Sequence, residues 1–330
     1  MHSAFILAAG FGTRLRPLTA LRPKPLVPVC GIPMLEYVFS MCRRYGLKRV
    51  IVNAHFLSEQ ITAYAGDRDG LFVTVSVEQP EILGTGGGLK RVCEQLGSRI
   101  VVLNGDVLCD VDLHELLERV PPGGAAMALR AHPEDALNRY GIVATDSEDR
   151  IVDLKTMAMT APSGPVRRDS HFTGIHALDR EVLDRVPEGF GCIVRTAYLE
   201  LVPERKLVGT HHTGVWLDVG DPLAYLETNL SVLRQEIQLD LDPFAHASCW
   251  VSKQGRGGEA PDVNVSGSVW VGDGVEFAPD VCLEDTVVGS HVTILSGTKL
   301  KECVVWDGAK VPAGVWSRRI FYGSDSLQIT

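Results

Sequence analysis

The stretch LAAGFGTRLRPLTALRPKPLVPVCGIP, residues 7–33, decides how the rest of the chain is interpreted. It follows the apolar run Ala4–Leu7, and its first glycines allow the backbone to turn tightly. Arg14 and Arg16 carry planar guanidinium groups suited to phosphate oxygens, and Lys24 lies between two prolines that restrict the backbone. A strand, a glycine turn and basic residues in this order predict a phosphate-binding segment.

Two common phosphate-binding motifs do not fit this segment. A Walker A loop requires Lys and Ser or Thr after its second glycine, whereas Gly12 is followed by Thr13 and Arg14. A dinucleotide fingerprint requires a third glycine where this chain has Leu15. The composite GxGTRLRPLT, followed by PKPLVPV, instead resembles the signature of sugar-1-phosphate nucleotidyltransferases.

The composition of the 330-residue chain limits its fold and its partners. The length suits two domains, and an apolar fraction of 45% supports a substantial core. The net charge of −9 argues against nucleic acid as a partner, because binding it requires a broad basic surface. No apolar run of about 18 residues and no signal peptide are visible, so we expect no membrane partner and a cytoplasmic location. Eight cysteines without a C-x-x-C pair predict reduced, packed thiols.

Short apolar runs alternate with amphipathic stretches from residue 1 to about residue 234. This alternation predicts an α/β fold with a Rossmann-like, mostly parallel sheet and helices on both faces. The predicted strands are Ala4–Ala8, Arg49–Asn53, Phe72–Val77 and Ile100–Leu103. The predicted helices are Pro33–Tyr45, Ser58–Tyr64, Gly88–Leu96 and Ala224–Arg234, with a further helix that opens at Gly191 and ends at Glu200. Ligands of such sheets gather at the carboxyl ends of the strands.

Two apolar strands of this region end in a carboxylate. Residues 101–103 lead into Asn104-Gly105-Asp106, and Val215-Trp216-Leu217 leads into Asp218. A carboxylate at a strand end can hold a divalent cation. The second segment resembles the family's W-x-D-x-G-T/D-P motif, and this resemblance implies that Asp106 and Asp218 bind Mg²⁺. Asp221 directly precedes a proline and is predicted to be a helix N-cap.

The segment EQPEILGTGGG, residues 78–88, resembles the family's base-recognition loop. Each of its three successive glycines carries a conformational cost of roughly 0.5–1 kcal/mol in an ordered element. We therefore expect these glycines in a loop whose backbone lies against a ring or a sugar, and not in a packed element.

The resemblance also implies the roles of individual residues. Arg14 and Lys24 are the implied catalytic residues: Arg14 draws charge off the departing pyrophosphate, and Lys24 bridges phosphates near the reacting centre. The implied nucleotide-binding residues are Leu7, Ala9, Gly10, Gly12, Thr13, Gln79, Gly84, Thr85 and Gly86. The implied sugar-phosphate-binding residues are Asn104, Tyr140, Gly141, Thr173 and Gly174.

The chain departs from the family pattern in its middle third. Many relatives have Glu-Lys-Pro there, and the lysine binds the sugar phosphate, whereas this chain reads Lys155-Thr156-Met157. Lys155, Arg167 and Arg168 are candidate substitutes, and none of them matches the motif. The adjacent residues His211 and His212 are predicted to be structural, because neighbours on a strand point to opposite faces.

Apolar residues recur every sixth position near the C-terminus. One series begins at Val263, a second begins at Val265, and a third continues from Val288 to Trp306. This period predicts a parallel (left-handed) β-helix of two to three coils. The predicted domains are therefore a catalytic domain at 1–234, a linker at 235–262, and the β-helix with its tail at 263–330.

The open end of a short solenoid must be covered. The predicted candidates for this cover are the catalytic domain, the Ser317–Thr330 tail and another subunit. Because Trp306 and Trp316 lie near that end, we expect a homo-oligomer assembled through the β-helix.

These features predict Mg²⁺-dependent transfer of a nucleotidyl group from a nucleoside triphosphate to a sugar 1-phosphate, with release of pyrophosphate. The short β-helix resembles mannose-1-phosphate guanylyltransferases. The glycine-rich segment and Asn53-Ala54-His55 instead resemble uridylyltransferases that act on N-acetylmuramate 1-phosphate, and a thymidylyltransferase is also open. The alternatives from other classes are a non-catalytic regulatory homologue that binds an NDP-sugar and a hexapeptide-repeat acyltransferase. The first would have lost a charged site residue, and the second has only His291 in its repeat.

Overall fold

The computed structural model describes residues 2–66, 68, 70–131, 141–158, 162–252, 255–258 and 263–330. The chain divides into two compact units that are each discontinuous in sequence. Unit 1 comprises Met1–Phe11, Val38–Gly105 and Cys109–Trp216, and unit 2 comprises Gly12–Tyr37, Asp106–Leu108 and Leu217–Thr330. The predicted domains follow chain order and so differ from these units, and their boundaries stay a prediction.

The chain contains many short strands and few long helices. The strands are β1 (His2–Leu7), β2 (Pro28–Val29), β3 (Ile32–Pro33), β4 (Arg49–Ala54), β5 (Phe72–Val77), β6 (Arg99–Asn104), β7 (Val107–Cys109), β8 (Ala125–Ala131), β9 (Ile142–Thr145), β10 (Ile151–Asp153), β11 (Arg168–Asp179), β12 (Leu207–His211), β13 (Trp216–Asp218), β14 (Cys249–Ser252), β15 (Gly255–Gly258), β16 (Asn264–Val271), β17 (Glu276–Phe277), β18 (Cys282–Val288), β19 (Thr293–Ile294), β20 (Lys299–Lys301), β21 (Val304–Val305), β22 (Lys310–Val311), β23 (Val315–Ser317), β24 (Arg319–Tyr322) and β25 (Asp325–Gln328). The α-helices are α1 (Met34–Arg44), α2 (Ser58–Ala65), α3 (Gly84–Arg91), α4 (Leu113–Glu118), α5 (Lys155–Ala158), α6 (Leu199–Leu201) and α7 (Pro222–Leu233).

Unit 1 is built on a nine-stranded sheet. Its strands β6, β1, β4 and β5 are parallel neighbours in this order, and the inner residues of β6, β1 and β4 are buried as apolar runs. This burial explains why those three strands are visible in the sequence, since a parallel strand covered on both faces is apolar throughout. Strand β5 lies at the edge of the sheet, none of its residues is buried, and its sequence FVTVSV alternates apolar with polar residues after Phe72. The long strand β11 extends the sheet and pairs antiparallel with β6, β8 and β9. The predicted α/β class is confirmed.

The predicted helices have observed counterparts, with two differences. The predicted helix Gly88–Leu96 is displaced towards the N-terminus, because α3 begins at Gly84 and only a 3₁₀ turn, Cys93–Gln95, follows it. The helix expected to open at Gly191 is instead a π-helical turn, Val194–Tyr198, that continues into α6. The predicted N-cap of α7 is confirmed, because the Asp221 carboxylate accepts a hydrogen bond from the backbone N–H of Ala224 at 2.9 Å.

The C-terminal repeat in unit 2 forms parallel coils with three walls. On the first wall Asn264 pairs with Cys282, Cys282 with Lys299, and Lys299 with Val315. Strands β16, β18, β21 and β24 form the second wall, and β17, β19 and β22 form the third. The predicted β-helix is confirmed. It is slightly longer than the two to three coils predicted. Its last strands, β23 and β24, no longer follow the sixfold period, so the sequence pattern does not include them.

Antiparallel strands cover both ends of the second wall. At the start β14 pairs with β16, and β15 pairs with β14, so the predicted linker 235–262 contains ordered structure. At the end β25 pairs with β24, which brings the C-terminal tail against the last coil. The tail, one of the three predicted covers, therefore supplies hydrogen bonds to this edge.

Trp306 does not lie at an open end of the repeat. Its side chain is buried, and its indole N–H donates to the Tyr225 hydroxyl on α7 at 2.9 Å. The Tyr225 hydroxyl in turn donates to the carbonyl of Pro28 at 2.6 Å. The prediction that Trp306 serves a subunit contact is wrong, because this ring joins the β-helix to α7 and to the segment that follows Lys24.

None of the helices in the described ranges is both long and apolar enough to span a bilayer. All eight cysteines fall within those ranges, and none of them forms a disulfide. Four of them, Cys30, Cys42, Cys249 and Cys303, are buried. Burial raises the pKa of the Cys42 thiol to about 12, so this group stays protonated at neutral pH.

Candidate active site

Lys24 is the centre of a cluster of charges in unit 2. It begins a 3₁₀ turn, Lys24–Leu26, and its side chain is only 8% exposed. Its ammonium nitrogen lies 2.5 Å from Asp106 Oδ2 and 3.8 Å from Asp218 Oδ1. A lysine is buried in this way only when its charge is compensated, and the two carboxylates provide that compensation.

The sheet topology explains why the two carboxylates meet. Asp106 follows the end of β6 after a one-residue turn at Gly105, and Asp218 is the last residue of β13. Strand β13 pairs with β7, which begins directly after Asp106. The pairing of these two short strands therefore brings together residues that are far apart in sequence.

Arg14 lies at the more open side of the same cluster. Its guanidinium Nη2 is 3.9 Å from Asp218 Oδ2, and its side chain is 61% exposed. Gly220 leaves room for this guanidinium, because a Cβ there would lie 3.0 Å from Arg14 Nη1. Gly12 precedes the turn with a φ of 61°, and a Cβ on it would lie 2.9 Å from the Thr19 methyl. The positive φ and this close contact require glycine at position 12, whereas at position 220 glycine leaves space that the Arg14 side chain uses.

Arg16 is exposed and does not join this cluster. In an extended backbone Arg14 and Arg16 would point to the same side. Residues Thr13–Leu15 instead form a 3₁₀ turn that ends at Arg16, so that geometry is absent. Among the described residues, no carboxylate lies within ion-pair distance of Arg16.

The glycine-rich segment is packed inside helix α3 and is not a loop. The N–H groups of Gly86 and Gly87 donate to the Gly191 carbonyl at 2.8 and 3.3 Å. A Cβ on Gly87 would lie 2.0 Å from the Gly189 carbonyl oxygen, and one on Gly86 would lie 3.0 Å from the Ile193 nitrogen. The expectation that packing could not account for these glycines is wrong, because the backbone of 189–193 approaches α3 too closely for side chains.

This packing predicts that Gly87→Ala will destabilise the protein strongly. Backbone has to move to admit the new methyl group, and overpacking of this kind costs typically 1–3 kcal/mol. The matched control is Gly191→Ala, whose Cβ would meet its nearest atoms at ordinary contact distances of 3.9–4.0 Å. Thermal unfolding of both variants is the measurement, and equal melting temperatures would contradict the packing described here.

The remaining residues predicted for the nucleotide lie in unit 1, at or after the ends of β1 and β5 and in the first turn of α3. Leu7 ends β1, and its carbonyl accepts from the Gly105 N–H at 2.9 Å. Ala9 is buried, whereas the α-carbon of Gly10 faces open space. Gln79 is exposed beyond the end of β5, and the Thr85 hydroxyl accepts from the Ile193 N–H at 3.1 Å.

The residues predicted for the sugar phosphate are only partly brought together. A Cβ on Gly174, whose φ is +86°, would lie 2.3 Å from the Asn104 amide nitrogen, so these two residues are close neighbours. The Thr173 hydroxyl is buried and donates to the Ala128 carbonyl, so it is engaged within the sheet. Gly141 packs against Met157, with 2.6 Å from its ideal Cβ to Met157 Sδ. Tyr140 lies outside the described residues.

The three basic candidates for the missing Glu-Lys-Pro lysine differ in their contacts. The Lys155 ammonium lies 2.5 Å from Asp169 Oδ2, in a partly exposed pair. The Arg167 guanidinium lies 3.5 Å from the Ser147 carbonyl, at the limit of a hydrogen bond, and Arg168 is exposed.

His176, also on strand β11, is fully buried, and burial lowers its pKa to about 3. His176 is therefore neutral and bonded to the Tyr198 hydroxyl.

Comparison with known proteins places this chain in a family. A family model described as nucleotidyl transferase matches residues 3–235. The chain belongs to the nucleotidyl transferase family. Mannose-1-phosphate guanylyltransferase of Mycobacterium tuberculosis is 30% identical, over 94% of this chain and 81% of that protein. UTP–glucose-1-phosphate uridylyltransferase of Synechocystis is 27% identical, over 94% of this chain and 84% of that protein.

The fold also has a solved counterpart. The crystal structure of HddC from Yersinia pseudotuberculosis matches with a TM-score of 0.55 at 22% identity, over 69% of this chain and 98% of that chain. A second structure of HddC, in complex with GMP-PN, gives the same values. Within the nucleotidyl transferase family this chain is thus a sugar-1-phosphate nucleotidyltransferase, and an enzyme, as its sequence predicts.

The donor set of the cluster suits a small, hard cation. Asp106 and Asp218 offer carboxylate oxygens, which are the ligands that Mg²⁺ prefers. Within the described ranges there is no cluster of three or more His, Cys, Asp or Glu side chains that could bind a metal without help. Mg²⁺ commonly uses one or two carboxylates and takes its other ligands from substrate phosphates and water. The residues therefore fit this ion.

His211 and His212 are engaged separately. His211 Nε2 lies 3.2 Å from Asp149 Oδ1, and His212 Nε2 lies 3.2 Å from Asp110 Oδ1 and 3.0 Å from the Val215 carbonyl. The two rings thus lie beside different carboxylates, which agrees with the predicted structural role, and only His212 makes a hydrogen bond through Nε2.

Sequence reasoning quoted the segments that contain Asn53 and Glu78 but gave neither residue a role of its own. Both are buried at the carboxyl ends of parallel strands, and they are hydrogen-bonded to each other. The signal that could have found them is their position, since Asn53 lies near the end of β4 and Glu78 directly follows β5, at the edge where ligands of such sheets bind.

Proposed function

We propose that this enzyme transfers a guanylyl group from GTP to mannose 1-phosphate, with Mg²⁺ held by Asp106 and Asp218. The observation that carries the chemistry is the placement of Lys24 between these two carboxylates. The substrate pair is supported by the mycobacterial relative named mannose-1-phosphate guanylyltransferase, whose match covers 94% of this chain. The HddC structure in complex with GMP-PN is a second association of this fold with a guanine nucleotide.

In the proposed reaction an oxygen of the sugar phosphate attacks the α-phosphorus of the triphosphate. A new P–O bond forms, the bond between the α-phosphorus and the bridging oxygen breaks, and pyrophosphate leaves with that electron pair. No general base is needed, because the attacking phosphate is already ionised at neutral pH. A Mg²⁺ ion held by Asp106 and Asp218 would supply positive charge to the phosphate oxygens.

The protein side chains position the phosphates and neutralise charge. Lys24 is held by its two carboxylates with its ammonium fixed, so it can donate to phosphate oxygens with little reorganisation. Arg14 is the more exposed cation, and we assign it to the departing pyrophosphate. The N–H groups of the Ala9–Gly10 turn are proposed to contact phosphates of the nucleotide.

A second candidate function is uridylyl transfer from UTP to glucose 1-phosphate. It is favoured by the Synechocystis relative, which aligns over the same share of this chain at slightly lower identity. A non-catalytic, regulatory role is less well supported, because Arg14, Lys24, Asp106 and Asp218 are all retained and are brought together.

The deciding experiment measures pyrophosphate release over a grid of four nucleoside triphosphates and several sugar 1-phosphates, with the Asp218→Asn variant as the blank. We expect kcat/KM to be highest for GTP with mannose 1-phosphate, and activity to disappear when Mg²⁺ is removed by a chelator. A maximum at UTP with glucose 1-phosphate would select the second candidate. Activity that is unchanged after chelation would remove the metal from the proposal.

We further propose that the enzyme is a homo-oligomer assembled through its β-helix. Strand β23 ends the first wall, and Val315 on it is 78% exposed. An exposed apolar residue on an edge strand favours pairing with another chain. Mass measurement in solution tests this proposal, together with a Val315→Lys variant that is expected to be monomeric. The cytoplasmic location stays a prediction.

A further inference from the structure

A chain of buried hydrogen bonds in unit 1 connects the turn that follows β1 with the loop that follows β5. Glu78 directly follows β5 and is 0% exposed, and its carboxylate accepts from the Asn53 amide at 2.7 Å and from the Leu83 N–H at 2.7 Å. Asn53, on β4, is 2% exposed, and its carbonyl oxygen accepts from the Ala8 N–H at 2.7 Å. The connection therefore runs from Ala8 through two side chains to Leu83.

Helix α3 makes room for this pair. A Cβ on Gly88 would lie 2.6 Å from a Glu78 carboxylate oxygen and 3.1 Å from the Asn53 amide nitrogen. The third of the successive glycines is thus explained by the buried polar pair, as the second is explained by the Gly189 carbonyl.

Burying a carboxylate is unfavourable, and a well-packed apolar residue is often at least as stabilising at such a site. The pair therefore requires a reason other than stability. Its two ends lie at Ala8, next to the Ala9–Gly10 turn, and at Leu83, which closes the loop that carries Gln79. The proposed function assigns the first of these segments to the triphosphate, and the family resemblance implies that the second recognises the base.

We propose that Glu78 and Asn53 are positioning residues that fix the distance between the Ala9–Gly10 turn and the Gln79 loop, so that the phosphates and the base of one nucleotide are bound together. The inference rests on the proposed function, because it assigns a nucleotide to these two segments. Neither side chain is a catalytic residue, since both act through the backbone they hold.

The donors and acceptors of this connection can be exchanged without changing its shape. In the wild type Asn53 donates and Glu78 accepts. In the double variant Glu78→Gln with Asn53→Asp, the glutamine amide donates to the aspartate, while its oxygen still accepts from Leu83 and the aspartate still accepts from Ala8. Glu78→Gln alone instead leaves two N–H donors facing each other in a buried site, and Asn53→Asp alone leaves two acceptor oxygens facing each other.

The test compares Glu78→Gln, Asn53→Asp and the double variant in steady-state kinetics, with nucleotide binding measured separately by calorimetry. We expect each single variant to raise the KM for the triphosphate at least ~10-fold with little change in kcat, because positioning affects ground state and transition state alike. The double variant should return the KM to within about 3-fold of wild type, since its hydrogen bonds are complete. The control is Glu59→Gln, an exposed position on α2 that should behave as wild type.

Three results would overturn the inference: folded single variants with normal KM, single variants that lose only thermal stability, or a folded double variant whose KM stays raised. If a single variant does not fold, comparison of the KM of the double variant with that of wild type still tests the inference. Calorimetry distinguishes failure of the positioning role from failure of the proposed function. Wild type that binds no nucleotide at all contradicts the proposed function, whereas normal nucleotide affinity in both single variants contradicts the positioning role alone.

Discussion

Asp218→Asn will lower turnover by at least ~10²-fold while the protein stays folded, which is the scale of losing a principal electrostatic contribution to catalysis. Asparagine preserves the shape of the side chain and removes its charge. The carboxylate lost in this way faces both Lys24 at 3.8 Å and Arg14 at 3.9 Å. Asp106→Asn should have a similar effect, because Asp106 is the closer partner of Lys24.

The matched control is Asp221→Asn, three positions further along the chain. Asp221 caps α7 by accepting from the Ala224 N–H, and asparagine caps helices about as well as aspartate. We expect near-normal turnover for this control. Pyrophosphate release at saturating substrates and Mg²⁺ is the measurement, and near-normal turnover of Asp218→Asn would remove that residue from the mechanism.

Lys24→Met will abolish most of the activity, with an expected loss of about 10²–10³-fold in kcat, the scale found when one donor of a transition-state charge is removed. Methionine retains most of the buried aliphatic stem, so packing of the 3₁₀ turn is little affected. The ammonium, however, is the group that separates the carboxylates of Asp106 and Asp218. Its loss also leaves those charges without their closest counter-ion.

Arg16→Met is the comparison, because it replaces a nearby cation by the same side chain. Arg16 is exposed and outside the cluster of charges, so we expect a much smaller loss of kcat. Single-turnover rates with the preferred substrate pair separate an effect on chemistry from one on product release. If Arg16→Met proved more damaging than Lys24→Met, the assignment of the cluster would be wrong.

Much of the fold is visible in the sequence, because it depends on local regularities. The strands β1, β4 and β6 contain apolar runs, β5 alternates apolar with polar residues, and the β-helix repeats its apolar residues every sixth position. The antiparallel strands β8–β11 are harder to find, since β11 continues through a Gly174 with positive φ and its pairing with β8 shifts register. Its apolar pattern is interrupted where the register shifts.

The site shows the same limit. Lys24, Asp106 and Asp218 could be predicted from the family resemblance, supported by their positions beside a strand or between prolines, and the structure brings the three side chains together. The packing of Gly86–Gly88 could not be foreseen, because the backbone of residues 189–193 excludes side chains at Gly86 and Gly87, and the side chains of Glu78 and Asn53 exclude one at Gly88. Trp306 was likewise misinterpreted, since its partner, Tyr225, lies 81 positions away.

The contact between Gly31 and Trp270 has a consequence for engineering. A Cβ on Gly31 would lie 2.0 Å from the Trp270 ring, so the strand pair β2–β3, a few residues after Lys24, is fitted to a ring of the first coil. A chimera that exchanges the C-terminal repeat between two relatives would place a foreign ring against this turn. The segment 12–37 should therefore be exchanged together with the repeat, because unit 2 combines residues 12–37 with residues 106–108 and 217–330.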